Sequence, residues 1–164
     1  MLHTKLIENA SKYIGTHHGT PNGDKLITKW LANFGLSLKA GDNYNPYCAA
    51  FVMSCIEETG KSKIFKSARC LDIWNKTPSK MRVEKPFKGC VFVWDFCNGT
   101  GHVGFVNQVN TGRMSTIEGN TKNPAIATND SERNGGWVIS RDRSCKIGMI
   151  GDIKLLGFID PFID

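Results

Sequence analysis

The stretch PFKGCVFVWDFCNGTGHVGFVNQVNTGRMSTIEGN, residues 86–120, decides the fold. Cys90 to Trp94 is an unbroken apolar run of strand length, enriched in β-branched and aromatic residues. Asn98-Gly99-Thr100-Gly101 then reads as a turn, followed by a second strand from His102 to Val106 and a third from Met114 to Glu118. Farther on, Trp137 to Ser140 and Leu155 to Ile159 have the same character. Between them, Asn120 to Gly136 is polar and longer than most structural connections, which reads as a binding or disordered loop.

Working back from Pro86, the periodicity is helical. His3 to Gly15 reads as a helix with Leu6, Ala10, Tyr13 and Ile14 on one face. Asn22 is the expected N-cap of a second helix, which carries Leu26, Ile27, Trp30, Leu31 and Phe34 and stops at Gly35. Asn45-Pro46 is the sharpest helix start in the chain, because Asn caps well and Pro suits the first helical position. That helix is expected from Pro46 to Thr59, closed by Gly60, and a shorter one from Ser67 to Asn75. Helices first and strands afterwards argue for an α+β class, with N-terminal helices packed on a small antiparallel sheet.

The chain has 164 residues, 40% apolar and 22% charged, which reads as one domain spanning residues 1–164. No apolar run approaches the roughly 18 residues of a spanning helix, so stable membrane insertion is not expected. No apolar block follows a basic start, so no secretory signal is expected either. The net charge of +6 is concentrated: Lys61 to Lys88 carries nine basic residues against Asp72 and Glu84. Such a field suits either an anionic partner or an ordinary solvated face.

The six cysteines, Cys48, Cys55, Cys70, Cys90, Cys97 and Cys145, form no CxxC pairs, so a zinc framework is unsupported. Cys90, Cys97 and His102 fit no compact zinc loop. Several sit at apolar positions and read as small buried hydrophobes. Cys48 differs. It falls in the first turn of the helix begun by Asn45-Pro46, where unpaired amides and the helix dipole favour a thiolate. A thiol nucleophile needs a base and a group that orients the base. Of four histidines, His102 opens a strand after a glycine turn, while Glu118-Gly119-Asn120 ends the next strand. In an antiparallel hairpin the start of one strand lies opposite the end of the next. Cys48, His102, Glu118 and Asn120 are therefore expected to converge as nucleophile, base and polar orienters.

NPYCAAFV, GHVGFV and IEGN, in that order, resemble the motifs of the CHAP group of cysteine amidohydrolases and peptidases, within the papain-like superfamily. The resemblance spans roughly residues 13–158. It implies the papain-like fold of helices on a small antiparallel sheet, with Cys48 as nucleophile, His102 as base, and Glu118 and Asn120 as orienting groups. One departure is Gly89-Cys90, where relatives usually have Gly-Asp. Some relatives bind calcium near the nucleophile. Here Gly41-Asp42-Asn43-Tyr44-Asn45 offers one carboxylate and no EF-hand spacing, so neither metal nor cofactor is expected.

The implied activity is hydrolysis of a peptidoglycan amide bond in a stem peptide or cross-bridge, with Tyr47, Trp137 and Arg141 as substrate walls. Two settings fit: a phage lysin, or an interbacterial amidase toxin whose partner would be an acidic immunity protein. Either way the chain is expected to be made in the cytoplasm and to act on the periplasm or wall after release or injection, as a monomer without nucleic acid. Two rivals remain: a non-catalytic module binding wall polymers or nucleic acid through residues 61–88, and a muramidase using Glu118 as acid with Asp95.

Overall fold

The computed structural model describes residues 1–127 and 134–163. Its helices are α1 (Leu2–Ser11), α2 (Pro21–Ala32), α3 (Cys48–Thr59) and α4 (Cys70–Lys76). Its strands are β1 (Lys39–Ala40), β2 (Asn43–Tyr44), β3 (Arg82–Val83), β4 (Val91–Asp95), β5 (Gly101–Asn110), β6 (Arg113–Thr121), β7 (Trp137–Ser144), β8 (Gly148–Ile150) and β9 (Ile153–Ile159). All strand pairings are antiparallel. The main sheet runs β3-β9-β4-β5-β6-β7, and β8 shares the outer edge of β9 with β3. The expected α+β architecture of helices on an antiparallel sheet is what forms.

Local chemistry moved several boundaries. α1 ends at Ser11 rather than Gly15, because Gly15 takes a left-handed φ of 96° and gives its N–H to the Val138 carbonyl on β7. α2 is capped by Thr20, not Asn22: the Thr20 hydroxyl accepts from Gly23 N–H, with Pro21 at the first helical position. α3 starts at Cys48, not Pro46, and has no side-chain cap. Asn45 instead donates its Nδ2 to the Ser37 carbonyl at 2.7 Å, bracing the loop that delivers the helix. The expected 120–136 loop is shorter, since β6 continues to Thr121. Its residues 128–133 lie outside the described residues.

β4 explains how a continuous apolar run becomes a strand. Val91 and Val93 join the cluster beneath the helices, while Cys90, Phe92 and Trp94 join a second cluster with Val106, Met114, Leu155 and Phe158. Successive side chains point to opposite faces, and both faces are covered, so alternation of polarity disappears. α3 is buried along nearly its whole length and packs on α1, α2, β5 and β6. Its Phe51 ring meets the edges of Tyr13, Trp30 and Phe105. Truncating a phenylalanine so enclosed costs about 3–5 kcal/mol.

The glycines of Gly101-His102-Val103-Gly104 are demanded by close approach. A Cβ at Gly104 would lie 2.6 Å from the Phe92 ring and 2.9 Å from the Ile117 carbonyl. One at Gly101 would lie 2.4 Å from the Trp94 carbonyl and 3.3 Å from Cys70 Cβ. Gly101 therefore lets the first residue of α4 settle against the start of β5.

Candidate active site

Three adjacent strands and two helix starts meet around one histidine. Cys48 is the first residue of α3, where unpaired amides and the helix dipole favour negative charge. Its Sγ lies 3.4 Å from Cys70 Sγ, and all six cysteines are thiols. The hydrogen bond from Cys70 holds the Cys48 thiol well below its ordinary value. Burial opposes the shift, while His102 and the Val103 backbone reinforce it.

His102, on β5, is 3% exposed, and its Nε2 lies 2.9 Å from Glu118 Oε2 on β6. That fixes the ring through Nε2 and leaves Nδ1 buried without a hydrogen-bond partner among the described residues. Burial disfavours the charged ring, but Cys48 and Glu118 outweigh it and push His102 up to about 9. Glu118 is fully buried yet held ionised. Burial would raise its pKa, but Arg143 and then His102 drive it far below the usual carboxylate range. Arg143, on β7, donates through Nε to Oε1 at 2.9 Å and through a terminal nitrogen to Oε2 at 2.8 Å. Thr116 adds its hydroxyl to Oε1 at 2.6 Å. The result is a continuous hydrogen-bonded chain from Arg143 through Glu118 to His102, ending at the buried, unpartnered Nδ1.

Asn120 sits at a bulge in β6, with a left-handed φ of 55° that asparagine tolerates well. Its Oδ1 accepts from the Tyr44 hydroxyl at 2.9 Å, and its Nδ2 is buried with no hydrogen-bond partner among the described residues. The group that contacts the His102 ring is Glu118; Asn120 bonds Tyr44 instead.

The expected substrate walls are engaged elsewhere. Tyr47 is fully buried and donates its hydroxyl to the Gly136 carbonyl at 2.7 Å. Trp137 stacks on His17 with ring centroids 4.0 Å apart. Arg141 donates to the Lys122 carbonyl at 2.6 Å and to Thr121 Oγ1, tying β7 to the end of β6. The cleft that opens on Cys48 has a volume of ≈ 260 Å³ and is lined by Asn45, Pro46, Cys48, Arg69, Cys70, Leu71 and Thr100, among others. None of the three expected walls lines it. A larger cleft of ≈ 790 Å³ lies away from the thiol, bordered by Lys61, Lys63 and Lys66 with Phe162 and Ile163.

Chemically, the arrangement suits a thiolate beside an imidazolium, able to attack a carbonyl and protonate a leaving amine. It does not suit glycoside hydrolysis with Glu118 as acid. A general acid must hold a proton, and Glu118 holds two cationic partners instead. Asp95 is spent on a turn, accepting the Cys97 N–H at 2.7 Å.

Arg143, Thr116 and Cys70 were not found from the sequence. Arg141 and Arg143 alternate with Ser140 and Asp142 on β7, which looks like an exposed strand face. Only the β6–β7 register, with Met114 opposite Arg143 and Glu118 opposite Ile139, brings a long guanidinium diagonally onto Glu118. Cys70 has no cap signal, because its placement depends on Gly101.

The CHAP domain family model matches residues 39–120, half of the chain and less than the motif resemblance spans. The matched segment contains Cys48, Cys70, His102, Glu118 and Asn120, and excludes β7 with Arg143. No curated protein and no solved structure matches the chain.

Proposed function

The chain belongs to the CHAP domain family, whose typical role is peptidoglycan hydrolysis, and on that premise we propose that it cleaves a peptidoglycan amide bond by cysteine nucleophilic catalysis. The observation that carries this reading is the buried ladder Arg143–Glu118–His102 set against the thiol of Cys48.

Cys48 is the nucleophile and attacks the scissile carbonyl as thiolate. The Cys48 backbone N–H, at the start of α3, is the expected oxyanion donor together with a neighbouring donor. His102, held by Glu118 through Nε2, gives its Nδ1 proton to the departing amine and later takes one from water, which releases the acyl-enzyme. Burial of Glu118 with Arg143 keeps the carboxylate anionic, so it orients the ring without taking its proton. The bond cleaved lies in a stem peptide or cross-bridge. The setting is a phage lysin or an interbacterial toxin held in check by an acidic immunity protein, and the site of action is the periplasm or wall. No helix among the described residues is long and apolar enough to cross a membrane.

Purified walls digested by the protein and analysed by mass spectrometry test the reading. New amino termini or free lactyl groups are expected, and Cys48→Ala should abolish them with the fold intact. New reducing ends, or full lysis by Cys48→Ala, would overturn it. The second outcome would favour the non-catalytic module acting through residues 61–88.

A further inference from the structure

Cys48 and Cys70 begin different helices, yet their sulfurs are 3.4 Å apart. Both residues line the ≈ 260 Å³ cleft, Cys48 3% and Cys70 7% exposed. All four of Cys48, Cys70, Cys55 and Cys90 are buried, but Cys55 and Cys90 do not line this cleft, and burial pushes both up, Cys90 to about 12. Cys97 is exposed in the turn after β4, and Cys145 is half-buried just past β7. Among the described residues, no other pair of cysteine sulfurs is in hydrogen-bond contact. A disulfide needs the sulfurs to approach by a further ~1.4 Å. Thiol–disulfide exchange needs an attacking thiolate, access, and a second thiol within reach of the first. The helix start supplies the first condition, the cleft the second and Cys70 the third.

We propose that Cys48 and Cys70 form an oxidative modification site, which a low-molecular-weight disulfide converts to an internal Cys48–Cys70 disulfide. The Cys48 thiolate attacks one sulfur of the small disulfide, whose S–S bond breaks and releases one small thiolate. Cys70 then attacks Cys48 Sγ, breaking the mixed disulfide and expelling the second small thiolate. The protons of the two cysteine thiols end on the two released thiols. Two electrons pass to the small disulfide, and two thiols become one internal disulfide. Bonded in this way, Cys48 has no lone thiolate with which to attack a carbonyl, so lysis stops until a thiol reductant reverses the exchange. The effect on lysis rests on Cys48 being the nucleophile; the sulfur chemistry does not.

The test is a thiol map of the full chain after exposure to oxidised glutathione at neutral pH, with remaining thiols alkylated before digestion and mass spectrometry. The expected result is a peptide pair joined through Cys48 and Cys70, no lasting glutathione on Cys48, and recovery of both thiols with a reductant. In Cys70→Ala, and equally in Cys70→Ser, the glutathione adduct should persist on Cys48. A wild-type chain that keeps glutathione on Cys48 while Cys70 alkylates as a thiol overturns the proposal, as does one whose Cys48 stays unmodified. The wild-type map is decisive even if neither variant folds. Lysis measured on the same samples separates the two readings. A joined pair with undiminished lysis supports the modification site and removes Cys48 as nucleophile.

Discussion

Arg143 grips Glu118 with two parallel hydrogen bonds, 2.9 and 2.8 Å long, from a strand that lies outside the family-matched segment. The carboxylate that orients His102 is thus kept anionic from β7, one strand beyond the hairpin that carries the motif residues. A fully buried carboxylate without such a partner would lean toward the neutral form. The arginine therefore sets the charge state on which the histidine depends.

Arg143→Ala should destabilise the protein by about 3 kcal/mol, as expected when one member of a buried ion pair is removed. The sign with pH follows from Glu118, whose folded-state pKa is depressed below the ordinary 4.5. Its contribution is complete above about pH 4.5 and is lost as the pH falls through the folded-state value. Without Arg143 the depression shrinks, so acid unfolding should begin at higher pH. Thermal melts between pH 2 and 7 check this; superimposable acid limbs for the two proteins would contradict it.

Glu118→Gln should lower wall lysis by about 10²-fold, within the range attributed to general acid–base assistance. Glutamine can still accept a hydrogen bond from the ring, but it removes the charge that helps raise His102. The histidine should fall from about 9 toward its ordinary 6.5, moving the alkaline limb of the rate profile down. Stability should follow the same group. A raised histidine stabilises fully below pH 6.5 and loses that contribution as the pH rises through about 9, so the wild-type melting temperature should decline across that window. An alkaline limb unmoved by Glu118→Gln would rule out this role for the carboxylate.

Alkylation should single out Cys48. Its thiol is depressed by Cys70 and His102, whereas burial raises Cys55 and Cys90. At pH 6 a small alkylating agent should label Cys48 well before either of them in the folded chain. In His102→Ala the onset of Cys48 labelling should shift to higher pH. Peptide mapping of timed samples gives the order, and equal labelling of Cys48 and Cys55 would contradict the assignment.

The basic stretch 61–88 is partly occupied within the fold. Lys66 pairs with Glu57, Lys76 with Asp72 at 3.5 Å, and the Arg82 guanidinium lies 4.6 Å over the Trp74 ring. Lys80 and Lys85 are exposed. If these charges recruit the protein to anionic walls, the attraction is screened over about 8 Å at physiological salt. Raising salt should then slow lysis of whole walls while hydrolysis of a soluble muropeptide stays nearly constant. Replacing Lys76, Lys80 and Lys85 with Glu should act like added salt. A constant ratio of the two rates across the salt series would reduce the stretch to ordinary surface.

What the sequence determined by itself is whatever local patterning can encode. The change from helical period to buried runs at Pro86 set the α+β order. The turn Asn98 to Gly101 and the Glu118-Gly119-Asn120 corner placed His102 and Glu118 on neighbouring strands, and the Cys48 helix start was legible to within two residues. Tertiary structure decided the rest. Asn45 could have capped α3, but its amide found the Ser37 carbonyl, a contact made by a loop rather than a helix rule. Tyr47, Trp137 and Arg141 carry side chains that suit a substrate wall, and the fold sets them against Gly136, His17 and Lys122, contacts that no local pattern shows. Arg143 and Cys70 reach the site only because strand register and the missing Cβ of Gly101 bring distant segments together. Periodicity and turn chemistry act over a few residues. Long side chains crossing between strands, and two helix starts sharing one cleft, depend on contacts 22 to 25 residues apart that no local pattern records.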